Sequence, residues 1–135
     1  MATSNQPTLA SDLMVKTPVF VEPWQPVAHA RQLMLANSFS FLPLLHNGKW
    51  RLLSEMALVA FLRPMLSKDR RTALALPVRE AVVTGLELLP AKTIRPAEDV
   101  SKLWANKRIR AVPSLWLVVE RPKRLVGVLS PFELM

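Results

Sequence analysis

The spacing of apolar and polar positions changes several times along the 135-residue chain, and each change predicts an element. "ASDLMV" reads as a short helical turn with Asp12 near its start. "PVFVEP" reads as a β-branched strand closed by Pro23. "PVAHARQLMLAN" places Val27, Ala30, Leu33 and Met34 on one helical face. "FLPLL" and "KWRLL" are strands joined by Asn47-Gly48, a strong two-residue hairpin signal. Ser54 then caps "SEMALVAFLR", and Pro64 ends or kinks that helix.

The same order recurs after "SKDRRTALAL", which reads as a linker on account of its charge cluster behind Pro64. "PVREAV" is a short helix, "AKTIRP" a strand closed by Pro96, and "EDVSKLWANKR" a helix with Val100, Leu103 and Trp104 on one face. "AVPSLWLVV" and "LVGVL" are strands, and Ser130 is a second cap, completed by Pro131 and Glu133 as a capping box. Thr17 aligns with Thr84, Pro43 with Pro113, and Ser54 with Ser130. The expected organisation is a disordered tail over 1–9, repeat 1 over 10–66, a linker over 67–76 and repeat 2 over 77–135, its final helix short. Each β-α-β-β-α copy is too small to bury a core alone, so the two should share one. The expected fold class is α/β, two such repeats packed with pseudo-two-fold symmetry.

Composition narrows the chemistry. Cysteine is absent and only His29 and His46 are present, so thiolate chemistry is excluded and a histidine metal site or triad is hard to build. No apolar run approaches the roughly 18 residues of a membrane span. The start lacks the basic and apolar regions of a signal peptide, so a soluble, cytoplasmic protein is expected. The net charge of +8 fits nucleic acid, an anionic ligand or simple solubility. Its positives are spread along the chain, and the Lys68/Arg70/Arg71 cluster has no interleaved aromatics to stack bases. No nucleophile–base pair, glycine-rich phosphate loop or metal-ligand spacing is present, so no catalytic residue is assigned.

The repeat resembles a pair of cystathionine-β-synthase (CBS) domains, the Bateman module. The resemblance rests on "MVKTPVFVEPWQPVAHARQLML", "FSFLPLL" and "RLLSEMA" in one half, and on "AKTIRPAEDV", "RIRAVP" and "LVGVLSPFEL" in the other. It runs from about Ala10 to the C-terminus. The family motif is a glycine, two apolar residues, a hydroxyl residue and an acid three positions on. The second half carries it as Gly127, Ser130 and Glu133, with glutamate for the usual aspartate; the first half has Arg51 and Ala57 at the glycine and acid positions. The resemblance implies one competent site for an adenosine-containing ligand in a cleft between repeats. There Ser130 and Glu133 hold the ribose, Thr17, Phe39 and Ser40 line the adenine, and Arg110 meets phosphate. A degenerate counterpart would use Ser54, Thr84 and Ile109. No cofactor is required; AMP, ADP, ATP and S-adenosylmethionine share the adenosine that the motif would read.

Plainer readings stand beside these. A capping box alone explains Ser130 and Glu133. Threonines at strand starts are ordinary, and Trp50 and Trp116 read as sheet or core packing. "EMALVAFLRPML" is apolar around nearly its whole circumference, which calls for burial against a partner, most simply a second copy in a homodimer. The expected function is a regulatory ligand-sensing module acting on an unidentified protein. The alternatives are a ligand-free dimerisation module with decayed sites and, less favoured, a basic nucleic-acid-binding module. No membrane association is expected.

Overall fold

The computed structural model describes residues 8–100, 115–121 and 123–130. In chain order the elements are α1 (Ala10–Leu13), β1 (Val15–Lys16), α2 (Val27–Asn37), β2 (Phe41–His46), β3 (Lys49–Ser54), α3 (Glu55–Leu62), α4 (Ser67–Ala75), α5 (Val78–Thr84), β4 (Leu89–Pro90), β5 (Lys92–Ile94), β6 (Trp116–Glu120) and β7 (Arg124–Leu129). They form two compact units. The central unit is Val19–Pro90; the split unit joins Met1–Pro18 to Ala91–Met135.

The central unit carries a three-stranded sheet of order β2-β3-β4. Asn47 (φ 51°) and Gly48 (φ 77°) turn β2 back onto β3, both left-handed as a tight hairpin turn requires. Behind the sheet, α2 buries Val27, Ala30 and Met34 at helical spacing, with Leu33 packed partly against the same core. Leu42, Leu44 and Leu53 from the strands and Val78 and Ala81 from α5 complete it. α2 ends at Ser38, whose left-handed φ of 54° breaks the helix.

In the split unit the sheet order is β1-β7-β6-β5. β5 and β6 run parallel over three rungs, and β6 and β7 antiparallel. Val118 faces Gly127 and Val119 faces Leu125, so Val126 is one residue too many and bulges out of β7. Ala10, Ile94, Val100, Trp116, Val118 and Leu129 form the core.

Three expectations need correction. Residues 67–76 are not a linker: Ser67–Ala75 is helical. The charge cluster hid strong helix formers around Ala73, which is buried, and Leu74, which packs on the core. "PVFVEP" forms no strand but a single parallel bridge, Val21 to Leu44. Pro18 and Pro23 bracket it without backbone donors, and the Val21 N–H donates to the Pro43 carbonyl at 3.1 Å. The tail expected over 1–9 is ordered at its end, since Val100 N–H donates to the Thr8 carbonyl at 2.8 Å and Leu9 bridges Asp99. The helix expected from Glu98 on lies largely outside the described residues.

Each sheet also takes its edge from the segment that precedes the other half of the sequence. β1 pairs with β7, and β4 pairs with β3. That exchange decides which threonines correspond. Lys16 faces Gly127, and Pro90 faces Arg51, so Thr17 is the counterpart of Ala91 and not of Thr84. Thr84 instead ends α5, where its hydroxyl donates to the Ala81 carbonyl at 2.9 Å.

Candidate functional site

Of the site residues expected in the split unit, Thr17 and Ser130 are described; Thr17 follows β1 and Ser130 follows β7. The strand delivers Ser130 immediately after Leu129, a fully buried core residue, so its position is fixed by packing. Gly127 has a local cause: a Cβ there would lie 2.7 Å from Cγ of Met14 and closer still to its sulfur. Met14 therefore fills the space that a side chain at 127 would need. Thr17 follows β1 and holds a left-handed φ of 56°, which is uncommon for a β-branched residue. Its hydroxyl donates to the Lys16 carbonyl. β1 ends at Lys16, which faces Gly127, so Thr17 leaves the sheet just past the rung that lies three residues before Ser130. Arg110 and Glu133 lie outside the described residues.

In the central unit the end of β3 meets the start of β2. Phe41 faces Ser54, and the Glu55 N–H donates to the Ser40 carbonyl at 2.8 Å. The structure thus brings together Ser40 and Ser54, which the resemblance assigned to different sites; Phe39 is exposed beside them. Ser54 Oγ accepts from the Ala57 N–H at 2.9 Å and serves as the N-cap of α3. A methyl group at Ala57 cannot reach back as an acid would, so this is a cap without the second half of the box. Ile109 lies outside the described residues.

A groove of about 420 Å³ runs between α2 and α3, over Met34, Leu58 and Leu62, with Leu35 and Val59 at its walls and Arg31 and Glu55 at its rim. Arg70 from α4 closes one end and donates to the Leu62 and Met65 carbonyls at 3.3 and 3.1 Å, which satisfies the end of α3. The signal was in the pattern: α3 buries Leu58 and Leu62 while Met56 is 72% exposed. The helix expected to be covered all round has an open side. Among the described residues no cluster of His, Cys, Asp or Glu could hold a metal, and no helix is long and apolar enough to cross a membrane.

Sheet order, register and the placement of the helices invite comparison with solved structures. A CBS-domain-containing protein of unknown function from Kribbella flavida superposes with a TM-score of 0.72 at 18% identity, covering 94% of this chain and 94% of that one. The fold is that of a CBS-domain pair. A second CBS-domain-containing protein of unknown function, from Bacillus anthracis, gives a TM-score of 0.71 at 15% identity over 97% of this chain and 92% of its own. CBSX2, crystallised in complex with AMP, gives 0.61 at 19% identity over 93% and 92%. No family model and no curated protein matches the chain. In this CBS-pair fold the motif positions follow two strands: Gly127 lies on β7 with Ser130 just after its end, and Arg51 and Ser54 lie on β3.

Proposed function

We propose that this CBS pair is a regulatory module that binds an adenosine-containing nucleotide through the split unit. Ser130 and Glu133 would hold the ribose, Arg110 would pair with phosphate through charge-assisted hydrogen bonds, and Thr17 would lie against the base. The observation that carries this reading is Ser130, set at the end of β7 by a buried strand with Gly127 three residues before it. The similar fold of CBSX2, which binds AMP, supports it. Such a module signals through different affinities in two states, and its output goes to a partner protein. We infer in addition that two copies of the chain associate.

A second reading has its own support. Met14 accounts for Gly127 without any ligand, and Arg51 and Ala57 break the motif at β3. On those grounds the chain would be a dimerisation module whose ligand sites have decayed.

Thermal unfolding in the presence of AMP, ADP, ATP and S-adenosylmethionine separates the two. A ligand at about 100 times its Kd stabilises by about 2.7 kcal/mol. For a chain of this length the melting temperature should rise by on the order of 10 °C. The expected result is a rise in the wild type that disappears in Glu133→Ala. No rise with any of the four at millimolar concentration leaves the dimerisation reading.

A further inference from the structure

The groove between α2 and α3 is polarised along its length. Its floor is apolar, made by the buried side chains of Met34, Leu58 and Leu62. The Glu55 N–H donates to the Ser40 carbonyl just past the end of α2, so α3 starts where α2 stops and the two helices run back along each other. That sets Arg31, in the second turn of α2, toward the end of α3 that carries Leu62 and Arg63. Arg70 closes the same end. Three guanidinium groups therefore gather at one end of the groove. Glu55, the only carboxylate lining it among the described residues, lies at the other, eight residues and about 12 Å back along α3. The carbonyls at a helix C-terminus carry the negative pole of its dipole and would repel an anion. Arg70 offsets that pole by donating to the Leu62 and Met65 carbonyls. Arg31 and Arg63 are exposed, and among the described residues neither side chain has a hydrogen bond or an ion pair.

We propose that this groove binds a free fatty carboxylate. Its head group sits among Arg31, Arg63 and Arg70, and its chain lies over Met34, Leu58 and Leu62 toward Glu55. Arginine matches a carboxylate with two parallel, charge-assisted hydrogen bonds. A mainly apolar slot of about 420 Å³ with a few convergent polar groups is of the size and character that hold a small ligand. The floor is concave, so one chain leaves water by lying in it; insertion into a bilayer would need an apolar surface that projects. A second copy of the protein matches this end poorly, because a two-fold axis brings the same three arginines to the face and only Glu55 to answer them. Every residue of this site belongs to the central unit, whereas the nucleotide reading is built on the split unit, so the two stand independently.

Titration calorimetry of the whole chain with decanoate, decanol and decyltrimethylammonium, each below its micelle-forming concentration, reads the preference for head group. Decanoate should bind saturably at one site, and the neutral and cationic chains at least roughly ten-fold more weakly. Arg31→Glu and Arg63→Glu should each weaken decanoate by roughly ten-fold. Val59→Trp fills the slot from its wall and should abolish binding, whereas Val83→Trp on α5, at a site 85% exposed, should bind as the wild type does. Circular dichroism confirms that each variant is folded. No saturable heat with decanoate overturns the proposal, and so does equal binding of all three head groups or binding that survives Val59→Trp. Sedimentation equilibrium supplies the last arm: self-association that weakens in Val59→Trp, with no heat from decanoate in the wild type, assigns the face to a second copy instead. None of these outcomes depends on the nucleotide experiment.

Discussion

The ends of β3 and β7 occupy matching places in their sheets, yet the side chains around them differ. Both strands are flanked by an antiparallel partner and a short edge strand, and both deliver a serine after a fully buried leucine, Leu53 or Leu129. At β3 the position opposite the edge strand is Arg51, half-buried against Pro90. At β7 it is Gly127, with Met14 laid across it. At one end the serine caps a helix; the other has the glycine and hydroxyl of the motif quoted above.

The largest expected effect tests the part of the comparison that should be symmetric. Leu53→Ala and Leu129→Ala remove equally buried side chains, and each should cost about 2–5 kcal/mol in urea denaturation. A cost below about 1 kcal/mol at either would show that the two cores are not equivalent. The next tests the asymmetry. Gly127→Val forces a side chain into Met14 and should destabilise by about 1–3 kcal/mol, with Met14→Ala recovering much of the loss. Arg51→Val, at the matching place, should stay within about 1 kcal/mol, since a β-branched residue suits a strand there. Equal losses at the two positions would break the contrast. The smallest effect concerns the cap. Ser54→Ala should cost about 1 kcal/mol and Ser54→Asp almost nothing, because aspartate also accepts from the Ala57 N–H. A loss well above that in Ser54→Asp would point to a role for the hydroxyl beyond capping.

Much of this was legible beforehand. The α2 stripe, the Asn47-Gly48 hairpin, the Ser54 cap and the buried Trp50 and Trp116 are all as the local pattern predicts. These features depend on neighbours within a few residues, which periodicity and turn chemistry report directly. Helix α4 is not legible from "SKDRRTALAL", where the charges outweigh the helix formers. The candidate site was legible as a set of residue types; its spatial grouping was not. Ser40 adjoins Ser54, and Thr17 follows the rung that pairs Lys16 with Gly127.

By itself, the sequence determined most of the element types around the central hairpin, the recurrence of the pattern and the lack of any thiol in this chain. Only the tertiary structure decided that β1 completes the sheet of the second half and β4 that of the first. Edge pairing joins residues more than a hundred positions apart in one case, and no local spacing encodes such a partner. The same exchange explains Gly127, whose reason for being glycine is Met14, a residue in the other half of the chain.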